Sequence, residues 1–184
     1  MRRFIWATIY VASGIAAGCF SAFTLIQSAG VETVAADEPW QSRSAAMAGP
    51  DAFYVRAHYL LEGRLPPAPS QLGEATADHD VDGQPLTGGC SYLITSTGPL
   101  PRWWSIGIVE NGAASAAFQA TADSDTTVRE ADGSIRIAAA TVPQPGNWLK
   151  VPSERRRFTL IYSALAASAR PVEPPFSVKR GACS

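Results

Sequence analysis

Asp78-His79-Asp80-Val81-Asp82-Gly83 sets three carboxylates at alternate positions ahead of a glycine. Oxygen ligands at positions 1, 3 and 5 with glycine at 6 open a calcium loop of the EF-hand type, which a bidentate glutamate at position 12 then closes. Here position 12 is Gly89 and position 8 is Pro85, and no helical pattern brackets the loop. Without the closing carboxylate, Asp78, Asp80 and Asp82 are incomplete metal candidates, and the favoured reading is an Asp-Gly turn into the next strand. His79 adds a second chemistry to the same stretch: a hydrolase or carbohydrate-active enzyme working through Asp78, His79, Asp80 and Asp82. The other histidine of the chain, His58, lies on a predicted helix. Neither an HExxH zinc motif nor a GxSxG nucleophile turn accompanies these residues, and a lone histidine beside carboxylates is more often a solvated surface residue. No cofactor-binding motif is present, so no cofactor is expected, and the residue kit favours a binding module over an enzyme.

Aromatic residues supply the second set of candidates. Arg102-Trp103-Trp104 precedes a strand, and Asn147-Trp148 lies in a Pro/Gly loop. Successive strand residues face opposite ways, so one of the paired tryptophans must leave the side its neighbour occupies. Arg102, Trp103, Asn147 and Trp148 are therefore a candidate ligand or partner surface. In the competing reading Trp104 is core, while Trp103 and Trp148 cover a sheet edge or the far face.

The elements that must position these residues are mostly strands. Trp104, Ile106 and Ile108 share one face of an alternating run. Ile135, Ile137 and Ala139, then Phe158, Leu160 and Tyr162, then Phe176 and Val178 repeat the pattern, and Cys90–Ser96 is strand-like. Asp132-Gly133 is a strong hairpin signal. Pro-, Gly-, Asp- and Ser-rich turns separate the runs at intervals fit for an antiparallel β-sandwich. One amphipathic helix flanks them. It opens at Asp51 as N-cap, ends at Gly63, and turns Phe53, Ala57, Leu60 and Leu61 inward. A short helix near Arg43 to Met47 and a helical turn within 163–169 are also expected.

The N-terminus carries the clearest signal. Arg2 and Arg3 precede an uncharged apolar run from Phe4 to Ile26. About 20 helical residues span the hydrocarbon layer, whereas a signal peptide usually has an apolar stretch of about 7–15. An uncleaved anchor is the favoured reading over cleavage at Val34-Ala35-Ala36. Ala16-Ala17-Gly18-Cys19 resembles a lipoprotein box, but the run stays apolar through Phe20, Phe23 and Leu25. The GxxxG spacing of Gly14 and Gly18 is no more than chance supplies in such a segment. Arginines before the span, with acidic Glu32, Asp37 and Glu38 after it, send the rest of the chain outside the cytoplasm. In a Gram-negative cell this is a single-pass inner-membrane protein with a periplasmic C-terminal domain. Residues 1–27 form the anchor, 28–50 a polar linker and 51–184 the β-sandwich domain.

Cysteine usage agrees. Cys19 lies within the span, leaving Cys90 and Cys183 without metal-ligand spacing. In an oxidising compartment two such cysteines are expected to form a disulfide, pinning the C-terminal tail. The net charge of -1, with scattered Lys and Arg, argues against a nucleic-acid partner.

Four stretches, "DGQPLTGGCSYLI", "PRWWSIGIVE", "ADGSIRI" and "PGNWLKVP…RFTLIYSAL", occur in an order and spacing that resemble a bacterial family catalogued as domain of unknown function 1214. The resemblance covers about residues 51–184 and implies a jelly-roll-like β-sandwich. In longer members the domain follows a second uncharacterised domain; here a membrane segment stands in that place, as in short anchored members. The stretch "NGAASAAFQATADSDTTV" departs from the longer members, which carry an Asn- and Arg-containing segment there. The family brings no catalytic residues. The expectation is thus a membrane-anchored protein that binds a ligand or an envelope protein partner, including one that holds the companion domain.

Overall fold

The computed structural model describes residues 2–34, 38–43, 45–68, 70–110, 120–165 and 173–183. The alternative cleavage site at 35–36, residues 166–169 of the expected helical turn and residues 111–119 of the divergent stretch lie outside them.

Helix α1, Arg2–Ser28, is exposed along nearly all of its length, and its Arg3–Ser28 segment is long and apolar enough to cross a membrane. Beyond it the chain is mainly β. Strands β1 (Glu32–Thr33), β2 (Gln41–Ser42), β3 (Leu72–Ala77), β9 (Phe158–Leu165), β5 (Trp104–Glu110) and β6 (Ala120–Asp123) form, in that spatial order, a six-stranded antiparallel sheet. Strands β10 (Phe176–Cys183), β4 (Cys90–Ser96), β7 (Arg136–Ala140) and β8 (Asn147–Lys150) form the second sheet. Its pairs are antiparallel except β7–β8, which run parallel.

The two sheets share one core. Ile106, Ile108, Leu160 and Tyr162 of the first sheet meet Ile94, Ile137, Phe176 and Val178 of the second. The Trp104 and Phe176 rings lie 5.0 Å apart across the interface. The inward sets read from β5, β7, β9 and β10 are the buried ones, because period-2 alternation lets only one face of each strand meet the other sheet. Asp132-Gly133 does form a turn, with Gly133 N–H donating to Glu130 O and Gly133 at φ +83°. It does not close a hairpin: β6 and β7 belong to different sheets, so the chain crosses between layers there.

Two further features depart from the sequence reading. The stretch read as a linker contributes β1 and β2, and its Trp40 is fully buried in the core, donating Nε1–H to Phe176 O at 2.6 Å. Helix α2, Ala52–Leu61, has the expected bounds, with Gly63 at φ +68° beyond its end, but Asp51 makes no side-chain cap. Its buried face is Val55, His58 and Tyr59, while Phe53, Leu60 and Leu61 are exposed. Both faces are apolar, so periodicity marked a helix without fixing its rotation. Met47, at the 3-10 turn Ala45–Ala48, and Glu74 on the sheet decide it, by packing on Val55 and Tyr59 and by bonding Tyr59.

Candidate functional site

On β3, Ala75 and Ala77 point into the core, so Glu74 and Thr76 point out. The outer face of β3 is thereby polar, with Ile161 of β9 and Val109 of β5 beside it, and α2 lies across it. Between them is a cleft of about 810 Å³, lined by His58, Tyr59, Glu62 and Arg64 above, Glu74, Thr76 and Asp78 below, and Gln27 and Arg43 at one side.

A connected network builds its wall. Tyr59 Oη donates to Glu74 Oε1 at 3.0 Å, and Arg64 pairs with the other Glu74 oxygen. Arg64 also reaches Glu62 Oε2 at 3.2 Å, and its guanidinium stands 5.3 Å from the Tyr59 ring centre. His58 Nε2 lies 3.2 Å from Glu62 Oε1. Burial, then the Glu74 charge and hydrogen bond, pushes the Tyr59 phenol well above its ordinary value, so Tyr59 is a hydrogen-bond donor at all physiological pH. Burial works to raise the Glu62 carboxyl, but the His58 hydrogen bond and the charges of His58 and Arg64 outweigh it and hold it low. Burial likewise opposes the Arg64 charge, and Glu74 and Glu62 overcome it. For Arg43, burial prevails and lowers its value.

Two groups in this wall have no protein partner among the described residues: His58 Nδ1 and Arg43 Nε. His58 is itself buried. Both residues line the cleft, which therefore presents an imidazole and a guanidinium beside the Glu62 and Glu74 carboxylates. That pattern suits a small molecule bearing a hydroxyl or amide.

The residues singled out from the sequence are dispersed. Asp78 lines the cleft, and its Oδ1 lies 2.7 Å from His79 Nδ1. Asp80 turns inward instead. Its Oδ1 accepts from the Asp82 and Gln84 backbone amides at 3.1 and 2.9 Å, and its Oδ2 meets Arg180 Nε at 2.7 Å. Burial opposes the Asp80 charge, but the Gln84 amide and Arg180 hold the carboxyl below its ordinary value. Gly83, at φ +72°, supplies the left-handed residue of this turn. The three carboxylates therefore do not converge; no cluster of three His, Cys, Asp or Glu able to hold a metal occurs among the described residues.

Arg102 and Trp103 line a shallow depression with Leu72, Asp125 and Leu165. Asn147 and Trp148 are elsewhere. Asn147 accepts from Val128 N–H at 2.7 Å and donates to the Val128 and Arg136 carbonyls, and Trp148 Nε1–H donates to Ala140 O at 3.1 Å. Their polar atoms hold the β7–β8 region together. Cys90 and Cys183 face each other across β4 and β10 and form a disulfide. His58 was visible as one of two histidines, but Tyr59, Glu62, Arg64 and Glu74 carried no motif; their assembly depends on α2 crossing β3.

Fold and site together describe a two-sheet β domain with a polar cleft on its outer face, following an apolar helix. The chain belongs to the family described as protein of unknown function (DUF1214), whose model matches residues 73–169. A comparison with curated proteins finds no match. Two solved structures share the fold. The VPA0106 protein from Vibrio parahaemolyticus has a TM-score of 0.56 at 18% identity over 89% of this chain, and an uncharacterised protein from Burkholderia cenocepacia has 0.52 at 16% over 86%. This chain spans 42% and 39% of their lengths.

Proposed function

We propose that this protein is a single-pass, membrane-anchored binding module of the cell envelope, with its β domain on the periplasmic side and its binding site in the cleft between α2 and the six-stranded sheet. The observation that carries the binding reading is the convergence on one cleft of His58 and Arg43, each with a buried side-chain nitrogen that has no partner among the described residues. Retention of the anchor is supported by the residues just beyond α1. A Cβ at Gly30 would collide with Ala46 and Val55, and Val34 N–H donates to Trp40 O, so the chain leaving the helix is already built into the domain. Cleavage at 34–36 would remove β1 from the sheet.

Native mass spectrometry of the full chain, released from membranes in mild detergent, tests the binding reading. A small-molecule adduct is expected on the native protein and lost in His58→Phe and Arg43→Ala. An adduct indifferent to both changes would remove the cleft from the account. The hydrolase or carbohydrate-active alternative keeps one supporting observation: Asp78 lines the same cleft as His58. It requires turnover of a glycoside or ester that Asp78→Asn abolishes.

A further inference from the structure

The outer face of α2 is apolar and exposed among the described residues. Phe53 is 81% exposed, Leu60 65%, Leu61 61%, and Leu65 just beyond the helix 86%. On a helical projection Phe53, Ala57, Leu60 and Leu61 fall on one side, opposite the buried Val55 and Tyr59. The one formally charged residue within Ala52–Leu61 is Arg56, exposed at the margin of that stripe. An exposed stripe of Phe and Leu bordered by a basic residue can bury its apolar side chains at the headgroup boundary of a bilayer while the arginine reaches the headgroups.

The position of α2 relative to α1 supplies the second observation. Gln27 in the last turn of α1 lines the same cleft as Leu60 and Leu61, and its carbonyl accepts from Arg43 Nη2 at 2.6 Å. At a rise of about 1.5 Å per residue α1 is about 40 Å long, against about 30 Å of hydrocarbon. With Arg3 at one surface, the hydrocarbon ends near Phe23, and Gln27 stands among the opposite headgroups. Whatever touches Gln27 is at that level.

The geometry points to the exposed face of α2 as a lipid-docking surface that lays the β domain against the bilayer beside its own anchor. This rests on α1 remaining in the membrane. Docking brings the mouth of the cleft, with Leu60 and Leu61 at its rim, to the membrane surface, and restricts the tumbling that a single tether would allow.

The test uses the full chain with Cys19→Ala, in vesicles of phosphatidylethanolamine and phosphatidylglycerol. Nitroxide labels are placed singly at Phe53→Cys, Leu61→Cys, Val128→Cys and Phe20→Cys. Leu60→Cys replaces either α2 variant that fails to form the Cys90–Cys183 bridge. Relaxation by oxygen is compared with relaxation by a water-soluble nickel chelate. Labels at 53 and 61 should favour oxygen several-fold over the Val128 site, itself an exposed residue of the β domain. Phe20 in lipid with 53 and 61 fully accessible to nickel overturns the inference and leaves the anchor standing. Phe20 in water overturns both. Labels at 53 and 61 shielded from both probes would mean that protein, a partner or a second copy, covers α2, and would also overturn it.

Discussion

Asp80→Asn is the sharpest perturbation of the Asp-rich turn. In the native protein the Asp80 side chain has no solvent exposure and fixes three groups: the Asp82 and Gln84 amides and the Arg180 guanidinium. Arg180 in turn bonds Pro85 O and stands 5.5 Å from the Tyr92 ring centre, so one carboxylate ties the turn to β10 and β4. An amide keeps one oxygen but presents an NH2 group to a donor. A hydrogen bond to a charged group contributes about 1.5–3 kcal/mol, and losing one partner of a buried ion pair costs about 3–5. Arg180 keeps some contact with water, so the lower end applies, and a loss of about 2–3 kcal/mol is expected. For a chain of this size that lowers Tm by roughly 5–10 °C. The sign of the pH dependence follows from the depressed carboxyl. Its stabilisation is complete above the ordinary value of 3.8 and disappears as pH falls through the lower folded value. Thermal unfolding in micelles between pH 7 and 3 should therefore show the native protein and the variant converging in acid. Equal Tm at pH 7 would refute the assigned role. So would a rise in native Tm on adding millimolar calcium that the variant lacks, since the turn would then be a metal loop.

Two other changes test the packing. Trp40→Ala should cost about 3–5 kcal/mol by cavity formation, and leaves the Phe176 carbonyl without its indole donor; urea titration showing a loss below about 1 kcal/mol would return 28–50 to the status of a linker. Cys183→Ser opens a loop of 93 residues, which in the chain-entropy model is worth about 4–5 kcal/mol. The C-terminal strand should then become sensitive to carboxypeptidase, and unchanged resistance would show that β10 holds without the bridge.

How far the molecule was legible depends on how local each signal was. The inward sets of β5, β7, β9 and β10 could be read directly from alternation, whereas Cys90–Ser96 read only as a strand, with Leu93 facing out between Tyr92 and Ile94. β3 could not be read that way: Leu72–Ala77 puts only Ala75 and Ala77 inward, small residues whose place in the core is filled from elsewhere by Trp40 and Tyr162. β1 and β2 are two residues each and exist by pairing. Helix α2 was found but turned the wrong way, because a helix apolar on both faces leaves rotation to tertiary contacts. The cleft was hidden for a similar reason. Tyr59 and Glu74 of the cleft are ordinary residues 15 apart, and at the separate Asp-rich turn Asp80 and Arg180 are 100 apart. No spacing rule connects such pairs until the sheet order does.

The central claim is that the β domain reaches its compartment still joined to α1. Intact-mass measurement of the native protein, purified from its own cells after alkaline carbonate washing of the membranes, tests it most directly. The account predicts a membrane-retained chain that includes Phe4–Ile26 and carries a closed Cys90–Cys183 bridge. A freely soluble chain that begins after Ala36, or one with both thiols reduced, would contradict it.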